Sequence, residues 1–193
     1  MRYILLALTL VLMCQAHATS QPALQQQLLN MAKQSQTVRN NLATYKQGEA
    51  PEALLILATD INNLHSQTLN EIVTLHGWPN KNLVGIEGVQ ATVIIVQNSE
   101  QLAFQQNMLP YIIQSFLDAE GVSGQNVAQI TDQVALKQSK AQVFGSQYDV
   151  INNKVVFKPI ENEEAVDNLR AELKLAPLSQ FKQALERALI HEQ

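Results

Sequence analysis

The stretch from Gly77 to Pro110 restricts the fold most. It opens with Gly77-Trp78-Pro79, which holds the only tryptophan. The most apolar run that follows, Ala91 to Val96, ends abruptly in the amides Gln97 and Asn98. Such a run must be buried, and its amides then lie where core meets a polar surface. Val93 to Val96 favour a strand by propensity. A buried helix suits a run apolar on all sides and followed by helical periodicity, and helix is the reading for residues 89–98.

Before this stretch the periodicity is helical. Leu24, Leu28, Met31, Val38, Leu42 and Tyr45 fall mostly three, four or seven apart, predicting an amphipathic helix over Pro22 to Tyr45. Gly48 to Pro51 stops it. A second helix is expected from Pro51 to His76, with Leu54, Leu57, Ile61, Leu64, Ile72 and Leu75 as its apolar stripe. Gly77 is expected to supply a left-handed cap, and Pro79 to prevent continuation. After the apolar run, Ser99 is suited to cap a helix through Leu102, Met108, Ile112, Phe116 and Leu117, which Pro110 should kink or split.

Val127, Ile130 and Val134 mark a short helix after the loop Gly121 to Gly124, with Asp132 inside it. Gln142 to Ile160 then alternates around Asn152-Asn153, the pattern of a β-hairpin on a type I′ turn. Glu161 to Lys174 and Leu178 to His191 close the chain as helices. The fold expected is mainly α, a single helical domain with one β-hairpin near residues 142–159.

The first residues follow the pattern of a secretory signal peptide, with Arg2, an apolar run from Ile4 to Met13, and Ala16-His17-Ala18. That run is too short for a bilayer, which needs roughly 20 residues. Cleavage after Ala18 is expected, giving residues 1–18 as leader and 19–193 as one domain, exported to the periplasm or secreted. Acylation at Cys14 is the alternative, disfavoured by Met13 before it. Cleavage removes Cys14, the only cysteine, so no disulfide forms and the fold rests on packing. No later segment resembles a membrane span. A net charge of −4 with scattered Lys and Arg offers no basic face for nucleic acid and no polybasic stretch for an anionic membrane.

Catalytic signatures are sparse. No nucleophile elbow, phosphate loop or dinucleotide fingerprint is present. His65 and His76 are about three helical turns apart, ~16 Å, too far for one ion. With His191 they are expected at the surface or as caps, and no metal or cofactor is implied. Glu161, Glu163 and Glu164 suit the start of a helix; Asp118 and Glu120 are expected in solvent. What remains is polar. Gln97 and Asn98 follow the apolar run, and Gln101 and Gln105 continue from Asn98 at helical spacing. Asp132 lies among apolar neighbours, and Gln147 sits in the first hairpin strand. Buried amides and carboxylates must be hydrogen-bonded, so this group either braces a core or binds a ligand. Trp78 is expected as a structural anchor.

The order of these residues resembles a family of bacterial proteins, domain-of-unknown-function family 6624. The resemblance rests on Asp60 to Asn63, Gly77-Trp78-Pro79, Gln97-Asn98, Asp132-Gln133-Val134, Phe144-Gly145-Ser146-Gln147, Pro159-Ile160, and Val166-Asp167 to Arg170. It runs from about Ala53 to Phe181 and adds Asp60 to the ligand-binding candidates Gln97, Asn98, Gln105, Asp132 and Gln147. The family pattern has His, Arg, Tyr and Thr where this chain has Asn98, Gln133, Phe144 and Ser146. Asn cannot serve as a general base near neutral pH as His can. The resemblance implies no established activity. Two functions are therefore carried forward. One is a binding or interaction protein, for a small molecule or a protein partner, with a polar cleft around Gln97, Asn98, Asp132 and Gln147. The alternative is a hydrolase on a small or envelope-derived substrate, with Asp132 as general acid/base.

Overall fold

A computed structural model describes residues 20–46, 48–152 and 154–191, with side chains through 188. The expected leader, Gln47, Asn153 and the His191 side chain lie outside those residues. Among the described residues the chain forms helices α1 (Pro22–Ala43), α2 (Glu52–His76), α3 (Lys81–Asn98), α4 (Leu102–Leu117) and α5 (Gly124–Lys137). Strands β1 (Tyr148–Ile151) and β2 (Lys154–Phe157) follow, then α6 (Val166–Glu172) and α7 (Leu178–His191). The mainly helical fold with one hairpin is present.

The apolar run folds as helix, not strand, and α3 is the centre of the molecule. Val89, Ala91, Val93, Ile95 and Val96 are buried, and α3 packs against α1, α2, α4 and α5. Ile86, Glu87 and Gln90 are exposed, but from Ala91 to Val96 only Ile94 is not fully buried, and a helix enclosed over such a run needs no amphipathic stripe there. It begins eight residues before Val89, because Asn80 caps it by accepting the Leu83 amide at 3.0 Å. Gly85, at φ 68° and ψ 171°, breaks the first turn from the rest.

The α2 stripe is corrected by the structure. Leu57, Leu64 and Leu75 are 49, 59 and 77% exposed, and only Ile72 of the six expected residues is buried. The inward face is Ala58, His65, Ser66, Leu69 and Ile72. Two polar residues lie on it because both are hydrogen-bonded there, and apolar periodicity alone did not find them. Tyr45, past the end of α1, is exposed too. Gly77 has a positive φ of 75° but ψ of −175°, so it is an extended glycine-only corner and not a left-handed cap.

Ser99 does not cap α4. It ends α3, and its hydroxyl oxygen accepts from the Gln101 amide at 3.2 Å and from Ser66 Oγ at 2.9 Å. Gln101, in extended conformation, precedes α4 without a side-chain cap. The helical continuity expected from Asn98 to Gln101 and Gln105 is thereby broken. Pro110 lies inside α4 without splitting it. The capping box of Ser123 and Asn126 starts α5.

The hairpin is shorter than expected. β1 and β2 pair antiparallel from Tyr148↔Phe157 to Ile151↔Lys154, with Asn152 at φ 51°. Residues 142–147 are a loop, tied to Ile160 by an isolated bridge from Gln142. α6 is shorter as well. Asn162 Oδ1 accepts the Glu164 and Ala165 amides, so Glu161 to Glu164 form a turn ahead of the helix.

Trp78 is half-buried rather than enclosed. Its ring packs against the core and stacks on Tyr111 at 5.5 Å, and its Nε1 donates to Ser115 Oγ at 2.8 Å. Ser115 in turn donates to Glu120, so that carboxylate is not simply solvated.

Candidate functional site

The loop 142–147 is fixed by Asp132 and Arg170 from outside it and by its own first residue, Gln142. Asp132, on α5, is fully buried. Its Oδ1 accepts the amide hydrogens of Val143 at 2.7 Å and Phe144 at 3.0 Å, and its Oδ2 that of Ser146 at 2.8 Å. Three backbone donors compensate a carboxylate removed from water. Arg170, on α6, is buried too and donates from Nη1 to the Phe144 carbonyl at 2.8 Å and from Nε to the Ala176 carbonyl at 2.7 Å. Its guanidinium lies 4.8 Å from the centre of the Phe181 ring. Burial pulls its pKa below the ordinary value, opposed by the charges of Asp167 and Asp132. Gln142, fully buried, completes the clamp. Its Oε1 accepts from the Gln147 amide, and its Nε2 donates to the Gln147 and Lys158 carbonyls.

Gly145 allows this loop to close. Its φ is +67°, and a Cβ would sit 2.6 Å from Leu178 Cδ1. Only glycine takes that angle without strain and fits that space.

What the clamp presents is the pair Ser146 and Gln147. They line a pocket of about 320 Å³ together with Arg39 from α1, Gln97 from α3, Gln129 and Gln133 from α5, and Tyr148 from β1. No apolar residue and no carboxylate lines it. The amides are tied in a directional pattern. Gln97 Nε2 donates to Gln129 Oε1 at 2.9 Å, and Gln105 Nε2 donates to Gln133 Oε1 at 3.1 Å. Gln147 Nε2 donates to Ser146 Oγ at 3.1 Å and to the Gln129 carbonyl at 3.5 Å. Arg39 Nη1 reaches Asn98 Oδ1 at 3.4 Å, and Asn98 Nδ2 donates to the Ile94 carbonyl.

The sequence candidates thus fall into three groups. Gln97 and Gln147 line the pocket, with Asn98 beside it through Arg39. Asp132 and Gln105 lie behind it, buried and hydrogen-bonded within the protein. Gln105 also donates to the Val96 carbonyl and accepts from Lys137 Nζ. Asp60 is exposed on α2 and takes no part in the lining. The expectation that one cleft holds Gln97, Asn98, Asp132 and Gln147 is corrected to this extent, because the amide hydrogens of the loop occupy the carboxylate. Sequence reasoning missed Arg39, Gln129, Gln142 and Tyr148 as site residues, because no chemical motif marks them. Gln133 and Ser146 were noted only as departures from the family pattern.

His65 is also corrected. It is 4% exposed, with Nδ1 2.9 Å from Ser35 Oγ and Nε2 3.1 Å from Gln34 Oε1. Burial lowers its pKa below 6.5. Among the described residues no group of three His, Cys, Asp or Glu is placed to hold a metal ion, and no helix is long and apolar enough to cross a membrane.

Chemically the pocket offers hydrogen bonds of both senses and one positive charge. The Ser146 hydroxyl faces the Ala128 carbonyl at 3.3 Å and Gln147 Nε2, and no histidine or carboxylate lines the pocket to activate it.

No curated protein and no solved structure matches the chain. A family of unknown function, DUF6624, matches residues 22–191. Stretches that carried the resemblance converge here. Gln97, Gln133, Ser146 and Gln147 meet around one pocket, while Asp132 and Arg170 hold one loop. From the first turn of α1 to the last of α7, the chain belongs to the DUF6624 family.

Proposed function

We propose that the protein is a binding protein whose pocket between α1, α3, α5 and the 142–147 loop takes a small polar ligand. The observation that carries this reading is the convergence of Gln97, Gln129, Gln133 and Gln147 with Arg39 around a space lined mainly by polar groups. Core-bracing amides are enclosed, as Gln105 and Gln142 are. These four are only partly buried. At about 320 Å³ the space lies at the low end of the ~300–1,000 Å³ of small-molecule sites. The leader-like pattern of the first eighteen residues supports an exported protein that meets its ligand outside the cytoplasm.

Hydrolysis with Asp132 as acid/base has less support. The carboxylate would have to give up backbone hydrogen bonds and reach through the loop it holds.

A thermal-shift screen of hydrophilic small metabolites tests the reading. A ligand raises the melting temperature through its preference for the folded state, and Gln97→Leu and Gln147→Leu should each remove the shift. A shift that survives both substitutions would place binding elsewhere and refute the assignment.

A further inference from the structure

Resting on that reading, we infer that the ligand is a sugar acid, a monosaccharide-sized molecule with several hydroxyls and one carboxylate. The argument begins with the hydrogen bonds the lining residues already make. Gln97 and Gln147 donate inward through Nε2 and keep their carbonyl oxygens as acceptors. Gln129 and Gln133 accept inward through Oε1 and keep their amino groups as donors. The lining residues therefore leave two acceptors and two amino donors without a partner among the described residues. Hydroxyl groups, which donate and accept at once, match such an alternation; a purely apolar or purely cationic molecule does not.

The charge comes next. Arg39 is the lining residue with a permanent charge, and among the described residues its one side-chain hydrogen bond, to Asn98, is long at 3.4 Å. Guanidinium binds carboxylate in two parallel hydrogen bonds, stronger than neutral ones. The buried acid Asp132 is taken up by the loop amides, and the Arg170 guanidinium donates to the Phe144 carbonyl of the same loop. The opening is thus left to Arg39. Tyr148, at the mouth, adds an aromatic surface with a hydroxyl tip; its ring is held edge-on against Phe157 and Phe181. Amides of both senses, one arginine and one aromatic ring together specify hydroxyls plus a carboxylate on a small frame.

Calorimetric titration of the full chain separates this inference from the broader one. The probes are D-glucuronate and D-galacturonate, each compared with its neutral parent, D-glucose or D-galactose. At least one acid should bind in the millimolar range or tighter, about tenfold better than its parent. Arg39→Gln should bring that acid down to the level of the parent, whereas Gln147→Leu should weaken acid and parent alike. Acid and parent binding equally, with Arg39→Gln silent, would overturn the charge assignment while leaving a polar-ligand pocket. No heat from either acid would overturn the sugar-acid inference, the metabolite screen standing as the separate test of the pocket. An acid that binds Gln147→Leu and the wild type alike would overturn it as well, since it would sit outside the pocket.

Discussion

The Asp132 carboxylate accepts the amide hydrogen of Ser146 at 2.8 Å, so an acid on α5 sets the position of a hydroxyl residue that faces the pocket. The relationship reverses the role the sequence suggests for Asp132. An acid among Ile130 and Val134 invites a catalytic reading, yet both its oxygens are engaged by the backbone. Removing its acceptor capacity should therefore harm the fold. In Asp132→Asn the amino group cannot accept, and at least one buried N–H loses its partner. A loss of about 1–3 kcal/mol is expected in chemical denaturation. A variant as stable as the wild type would show that these bonds do not hold the loop.

Gly145 should be equally intolerant. Gly145→Ala meets Leu178 at 2.6 Å and a φ of +67°, and backbone strain alone costs about 1–3 kcal/mol. The measurement is again a melt. Unchanged stability would mean that the loop relaxes freely, against the clamp described here.

How much of this was legible beforehand can be judged from particular residues. The helical course, the hairpin and the turn at Gly77-Trp78-Pro79 follow from periodicity and from glycine and proline, which act locally. The inward face of α2 does not. Leu57 and Leu64 carry a better apolar stripe than His65 and Ser66, but His65 has Ser35 and Gln34 to bond with, and those partners sit on another helix. The site was half legible for the same reason. Gln97 and Gln147 stood out beside apolar or glycine-rich neighbours. Arg39, Gln129 and Tyr148 join them only through tertiary contact, which no spacing rule encodes.

Trp78 supplies a graded test of packing. Trp78→Ala removes a ring stacked on Tyr111 and a hydrogen bond to Ser115. The ring is half-buried, so a loss of about 2–3 kcal/mol is expected, below the ~3–5 of an enclosed aromatic. Ser115→Ala should cost about 1–3 kcal/mol, since it removes both the acceptor of Trp78 Nε1 and the donor to Glu120. A neutral Trp78→Ala would contradict its anchoring role.

His65 makes stability depend on pH with a defined sign. Its native pKa lies below 6.5 because burial disfavours the charged ring. The unfolded chain then takes up the proton more readily. The contribution is full above about pH 6.5 and is lost as pH falls from there through the depressed native value. Melting temperatures measured between about pH 5 and 8 should decline toward acid. His65→Gln, though less stable throughout, should show a shallower decline. Parallel curves for the two proteins would refute the assignment.

The division between clamp and pocket is tested most directly by one paired denaturation of Gln147→Leu and Asp132→Asn. The Gln147 side chain donates only to its neighbour Ser146 and, at 3.5 Å, to the Gln129 carbonyl. Its backbone bonds to Gln142 do not depend on it. If it serves a ligand, Gln147→Leu should keep wild-type stability to within ~0.5 kcal/mol, the usual range for residues outside structural features, while Asp132→Asn loses about 1–3 kcal/mol. Equal destabilisation of the two variants would make Gln147 another brace and contradict the pocket as a binding site.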